Sequence, residues 1–314
     1  MPGNLGVLMA ASCIVSQATA PPPSPYRLDI GRAGEVTVEP GTVVDTRSGK
    51  LVTPKEIASA ARHVRFVYLG EQHATAAHQR MHADIVTALA EPGRPVAVGL
   101  EMLTRPKQDV LDLWWRGTAP DAPPMQEAAF LQQVDWGREW GFDFGFYRPL
   151  FLAVQQRKIP TVALNVPREW VRQVGREGFD ALPTSVRMQL PPKLDLGLTQ
   201  HRRVFTALMG GHPMTGARAE NIYSAQVLWD EGMADTALKF LERANMPKNA
   251  VFVVVAGAGH VMYDQGINAR IARKRGGTGL SVVMIESPEP VTVRRGLADF
   301  VYVSRPEPKP SPTG

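Results

Sequence analysis

Four stretches of this chain are apolar almost without interruption, and no other feature of the sequence limits its fold so strongly. They are "HVRFVYLG", "RPVAVGLEM", "IPTVALNV" and "NAVFVVVAG". A strand with one wet face alternates apolar and polar residues, whereas a strand covered on both faces need not. Two further runs, "GLSVVMIES" and "ADFVYVS", read as strands as well. Amphipathic stretches at 76–89, 108–115, 147–157 and 218–243 separate them and carry helical periodicity. Strand alternating with helix predicts an α/β fold: a central mostly parallel or mixed open sheet with helices on both faces. The segment near 176–216 is rich in Pro, Gly and Met with poor periodicity, and predicts a helical insertion or cap. A single domain is expected over 26–304, between a leader and linker at 1–25 and a disordered tail at 305–314, and no solenoid repeat interrupts it.

The chain carries a formal charge of +5. Its densest basic spots, "RKRGG" from Arg273 and "HRR" from His201, read as solvated faces, with a rim for an acidic ligand or lipid headgroups as the alternative. Aromatic residues are not interleaved with these charges, so nucleic acid is not expected as a partner. A single cysteine, Cys13, excludes an internal disulfide framework and a thiolate metal cluster. It follows "LMAAS" and precedes a Ser/Thr/Pro-rich spacer, which resembles a bacterial lipoprotein signal although no Lys or Arg comes before it. The expectation is an exported protein anchored to a membrane through lipidated Cys13, at the periplasmic face or outer membrane; a cytoplasmic tail is the alternative.

The four buried strands share a chemical ending. The first ends in Glu71 and His73, the second in Glu101, the third in Asn165 followed by Arg168, and the last in His260. Open α/β sheets bind ligands where the carboxyl ends of the strands meet their loops. Gly-x-x-His occurs twice, at Gly70–His73 and Gly257–His260. In a chain with 28 glycines and 7 histidines the repeat alone means little, and it gains weight because both copies follow a strand. Each residue also has an ordinary reading: Glu71 and His73 suit a helix start, and polar side chains end most strands. His78 and His82, four apart, have a spacing that can hold a metal, but a solvated helix face is the expectation for them. Neither a G-x-S-x-G elbow, a Walker A loop nor a G-x-G-x-x-G turn is present. Two Glu and two His around one cleft suit a divalent metal or a cofactor.

Taken in order, "VYLGEQH", "VGLEM", "RPKQDVLDLWWRG", "YRPLFLA", "IPTVALNVPRE", "YSAQVLWDEGMA" and "VVVAGAGHVMYDQGINARI" resemble the ChaN-like haem-binding lipoproteins over roughly residues 40–290. That family lies in a wider group with the Tiki proteases and erythromycin esterase-like enzymes. The resemblance implies haem held at a homodimer interface by a tyrosine, and a role in bacterial iron and haem acquisition with a transport receptor as a partner. It also implies that Glu71, His73, Glu101 and His260 share the central cleft. Tyr147, Tyr223 and Tyr263 stand in matching motifs. Tyr147 is the expected ligand, because Trp136, Trp140, Phe144 and Phe146 beside it are able to sandwich a porphyrin; helix-packing core is the other reading of that cluster. After His73 the chain reads "ATAAHQR", where the family carries an Asp-Asn pair.

Haem binding, with Glu71, His73, Glu101, Tyr147, Asn165, Arg168 and His260 around the cofactor, is therefore the leading expectation. The alternative is a metal-dependent hydrolase in which Glu71, His73, Glu101 and His260 position a metal-bound water. A non-catalytic module for another small ligand is the third.

Overall fold

Each of the six expected strands forms. In the computed structural model, residues 24–91, 93–117, 119, 122–211, 215–275 and 279–307 are described. The leader with Cys13, residues 308–314 of the tail and the two glycines of "RKRGG" lie outside them. In chain order the elements are β1 (Glu35–Val38), β2 (Thr42–Asp45), α1 (Pro54–Ala60), β3 (Phe66–Glu71), α2 (Ala76–Ala90), β4 (Val96–Thr104) and α3 (Gln108–Arg116). There follow α4 (Glu127–Val134), α5 (Trp136–Glu139), α6 (Phe144–Gln156), β5 (Thr161–Asn165), α7 (Arg168–Glu177), α8 (Thr184–Arg187), α9 (Thr199–Leu208) and α10 (Gly216–Arg243). The chain closes with β6 (Val251–Gly257), α11 (Ile267–Arg275), β7 (Leu280–Glu286), β8 (Val291–Arg294) and β9 (Phe300–Ser304).

The main sheet has the order β2-β9-β7-β3-β6-β4-β5, while β1 and β8 pair separately. All neighbours in the main sheet run parallel except β2, which is antiparallel to β9 and makes the sheet mixed. Side chains alternate between two cores, as the pleat requires. Val67, Leu69, Val253 and Val255 face α1, α2, α3 and α6, packing on Ile57, Ile85, Leu111 and Phe151. Phe66, Tyr68, Phe252 and Val254 face α10 and α11, with Met233, Ala237 and Ile271. Strands lined on both sides in this way are the physical origin of the unbroken apolar runs.

The strand order decides which loops meet at the carboxyl end of the sheet. β6 sits between β3 and β4, although both precede it by well over a hundred residues in the chain. After β3 the chain enters α2 on one face of the sheet; after β6 it enters α11 on the other. The two connections diverge at the carboxyl ends of β3 and β6, the kind of switch point at which open α/β sheets bind ligands. Both Gly-x-x-His turns are the first turns of these diverging connections.

Three features differ from the expectations. The strands β1, β2 and β8 were not anticipated: each has four residues, and each pairs with a partner from the opposite end of the chain. The third helix begins at Phe144 rather than at residue 147, because Asp143 caps it by accepting the Gly145 N–H at 2.6 Å. His78 and His82 are not on a solvated face. Both are fully buried, since α2 turns that face toward the sheet rather than toward water.

Candidate functional site

β3 delivers Glu71 as its last residue, 2% exposed, and the chain then turns sharply. Ala74 takes a left-handed conformation (φ 55), which costs a residue with a Cβ roughly 1–2 kcal/mol. Its N–H donates to the Tyr147 hydroxyl at 3.0 Å, and the Gln72 N–H donates to His78 Nδ1 at 3.1 Å. The loop is thereby held so that His73 Nδ1 meets Glu71 Oε1 at 2.9 Å. The other Glu71 oxygen accepts from Gln79 Nε2 and lies 3.6 Å from His82 Nδ1. Strain at a site with such dense support is retained because the surroundings over-determine it.

β4 contributes Glu101 where its pairing with β5 breaks register, between Leu100 and Thr104. Asn165 closes that irregularity: its Nδ2 donates to the Glu101 carbonyl at 3.1 Å, and its Oδ1 accepts the Val166 N–H at 2.9 Å. The Glu101 carboxylate faces the cleft instead. Its Oε2 accepts the Gly257 N–H at 2.6 Å and its Oε1 lies 3.4 Å from His260 Nε2. Gly257 is the floor between the two histidine turns. A Cβ placed there would stand 2.9 Å from His73 Cε1 and 3.7 Å from Glu101 Oε2, so only glycine leaves room for the imidazole.

The structure therefore brings Glu71, His73, Glu101 and His260 together at the carboxyl end of β3, β4 and β6. It adds residues that the sequence reading did not include. His260 Nδ1 donates to Asp230 Oδ1 at 2.6 Å, and the Gln226 amide packs beside that nitrogen. Asp230 Oδ2 lies 2.8 Å from His201 Nε2 and 3.6 Å from Arg270 Nη1. The Tyr223 hydroxyl meets His201 Nδ1 at 2.9 Å. A buried chain of polar groups thus runs Tyr223–His201–Asp230–His260–Glu101, from the helical insertion to the cleft. Its signal was present in "YSAQVLWDEGMA": Gln226 and Asp230, four apart, share one face of an otherwise apolar helix. "HRR" is corrected at its first residue, because His201 is 1% exposed and belongs to this chain.

Electrostatics sorts the two histidines. Burial opposes a charge on His260, but Glu101 and Asp230 on either side raise its pKa to about 10. Burial likewise works against Glu101, yet His260, His73 and the Gly257 N–H bring it down to about 2. Asp230 is held well below the usual carboxylate range by Arg270 and His260 despite complete burial. His260 is thus a fixed imidazolium between two carboxylates at neutral pH. Glu71 goes the other way: burial raises it against the pull of His73. For His73, burial is outweighed by the Glu71 hydrogen bond and by Glu101, and the net shift is upward.

The remaining expected residues sit around this centre. Arg168 opens α7 at the mouth, its guanidinium 5.6 Å from the Trp140 ring centre and its Nη2 donating to the Trp140 carbonyl at 3.2 Å. Trp140 and Phe142 lie 4.9 and 5.9 Å from the His73 ring. Trp136 and Phe144 are core residues packed on Phe151, which is the packing reading of that cluster. Tyr147, Tyr223 and Tyr263 are all buried, with their hydroxyls bonded to Ala74 N, His201 Nδ1, and Leu28 N and Pro25 O respectively. Among the described residues no three His, Cys, Asp or Glu side chains converge as a metal site would.

The family model described as haem-binding uptake, Tiki superfamily, ChaN matches residues 57–271. ChaN of Campylobacter jejuni, solved with cofacial haem binding, is 17% identical with a TM-score of 0.61, over 83% of this chain and 95% of that one. At that identity the likeness establishes the fold. An erythromycin esterase mutant in its open conformation is more distant, at 14% identity and a TM-score of 0.45, covering 83% of each chain. No curated protein matches the chain in sequence. With more than half of its length matched, and the two histidine turns and strand-end glutamates inside the matched span, the chain belongs to the ChaN haem-binding uptake family of the Tiki superfamily.

Proposed function

We propose that this protein binds haem at the mouth of the strand-end cleft, where His73 Nε2 would hold the iron, in bacterial haem or iron uptake. One observation carries the reading. His73 Nδ1 is fixed by buried Glu71, whereas its Nε2 has no hydrogen-bond partner among the described residues. A carboxylate behind one ring nitrogen is the usual way a protein orients a ligating histidine and raises its basicity. The residues fit the group in other respects as well. Trp140 and Phe142, the latter 41% exposed, give a porphyrin face apolar edges, and Arg168 beside them suits a propionate. Bound haem would supply an iron centre whose potential follows its axial ligand. This chain's part is to orient the ligand, to shield one face and to pair the propionates. The Tyr147 hydroxyl is already engaged by the Ala74 N–H, which supports the loop that carries His73.

Uptake places the protein outside the cytoplasm, anchored by lipidated Cys13, working as a homodimer and passing haem to a transport receptor. One lipid chain alone anchors weakly, so the reading needs a multiply acylated Cys13; among the described residues no helix is long and apolar enough to cross a membrane. Haemin titration of the purified protein should give a saturable Soret band that His73→Ala removes while the fold survives. Wild-type protein that ignores haemin ends the reading. For the location, Cys13→Ser should move the protein out of the membrane fraction.

The hydrolase reading has one observation in its favour: Glu71, His73, Glu101 and His260 meet at the carboxyl ends of neighbouring strands, two carboxylates beside two imidazoles. Stoichiometric divalent metal in protein purified without haem, together with hydrolysis lost in His260→Ala, would select it.

A further inference from the structure

The end of the sheet opposite the cleft is basic, and nothing in the haem site uses it. β7, β3, β6 and β4 are neighbours and parallel, so the segments leading into them lie at one end of the molecule. These segments carry Arg62, Arg65, Arg94, Arg243, Lys248 and Arg275 against Glu91 and Glu242. On these four segments six cations against two carboxylates leave a surplus of four, out of +5 for the whole chain. The remainder of the protein is close to neutral.

Two of these cations are bonded without being neutralised. Arg65 donates to the carbonyls of Met246, Pro247 and Ala250, and Arg94 to those of Asn249, Ala61 and Val64; among the described residues neither meets a carboxylate. Burial, and after it the charge of Arg275, lowers the pKa of Arg65, the mark of like charges held close together. Arg275 itself pairs with Glu242 at 2.6 Å, with both partners about half exposed or more, and exposed pairs of this kind are weak. Between β3, β7 and the end of α10, Arg65, Arg275 and its partner Glu242 line a cavity of about 580 Å³ with His63 and Asn245 on its wall.

We propose that this end of the sheet docks on an anionic phospholipid surface, the cavity between Arg65 and Arg275 receiving a headgroup phosphate. A cationic end face built from loops suits a charged plane, and each Lys or Arg near such a surface adds to attraction that salt screens within a Debye length. A polyanionic nucleic acid is disfavoured because no exposed aromatic residue lies among these cations. Docked this way, the protein holds its cleft away from the bilayer, open to a partner.

The test is vesicle flotation with the full chain carrying Cys13→Ser, which removes any acyl contribution. Vesicles of phosphatidylcholine with about one-third phosphatidylglycerol should carry the protein at low salt and release it at high salt; pure phosphatidylcholine should not. A triple variant, Arg243→Gln, Lys248→Gln and Arg275→Gln, changes exposed residues only. It should lose about a hundredfold in partitioning, with unchanged thermal melting and unchanged haemin titration. Equal binding to both vesicle types, or a triple variant that floats like its parent, overturns the proposal. So does glycerophosphate binding free in solution as tightly as the vesicles do, which would assign the cavity to a soluble phosphate. Tighter binding of a duplex oligonucleotide than of the vesicles would overturn it in favour of nucleic acid.

Discussion

Gly257→Ala tests the cleft without touching any residue that meets a ligand. The backbone there (φ −56, ψ 143) suits alanine, so the substitution is not strained in itself. Its methyl, however, would lie 2.9 Å from His73 Cε1 and 3.0 Å from Nε2, where carbon contacts settle at about 3.5–4.0 Å. The ring must therefore retreat by roughly 0.5–1 Å. His73 is one-third exposed in its side chain and is free to swing outward, but doing so stretches its 2.9 Å bond to Glu71 toward the limit of a hydrogen bond. Hydrogen bonds to charged groups contribute about 1.5–3 kcal/mol, and 1.4 kcal/mol is a factor of ten. Haemin affinity should accordingly fall about 10- to 100-fold, as it does when an outer-shell partner of a metal ligand is lost. The assay is a Soret titration, with thermal melting to confirm the fold. Gly259→Ala serves as the control, since its methyl meets only the flexible Leu208 side chain. Gly257→Ala binding haemin with unchanged affinity and spectrum would refute the placement of His73 at the iron.

Tyr147→Phe deletes the acceptor for the part-buried Ala74 N–H and should cost about 0.5–1.5 kcal/mol in urea unfolding, while leaving the haem spectrum in place; a shifted Soret band would return the ligand role to Tyr147. Asp264→Asn should stabilise the apoprotein at alkaline pH. Burial and the neighbouring Asp299 raise the Asp264 pKa from 3.8 to about 6, so the folded state holds its proton more tightly than the unfolded chain does. Stability is then lost as pH rises from about 4 through 6 and stays low above that. The variant should gain up to about 3 kcal/mol at pH 8 and almost nothing at pH 4. A variant less stable than its parent at pH 8 would refute the sign.

Much of this architecture is legible in the chain because burial on both faces of a parallel sheet removes the alternation that water imposes. "FVYLG" and "VFVVV" announce central strands before any partner is known, and the polar residues at their ends mark the ligand-binding side. Glu71, His73, Glu101 and His260 are visible for that reason: their chemistry is local to a strand terminus. The histidines at 78 and 82 are not, since which face of α2 meets the sheet depends on how α2 packs. Gln226 and Asp230 show only a four-residue spacing on α10, and His201 sits on α9 in a stretch of poor periodicity, so neither helix tells which polar side chain points inward. Only the strand order decides that. By inserting β6 between β3 and β4, it sets two histidine turns from distant parts of the chain on either side of one glycine and lays α10 against the second. The same order gathers the cations at the opposite end of the sheet, which in the sequence are scattered from Arg62 to Arg275. Sequence determines the elements and their polar ends, through short-range burial and turn chemistry. Which ends meet, and with what charge between them, is decided by the long-range pairing of strands.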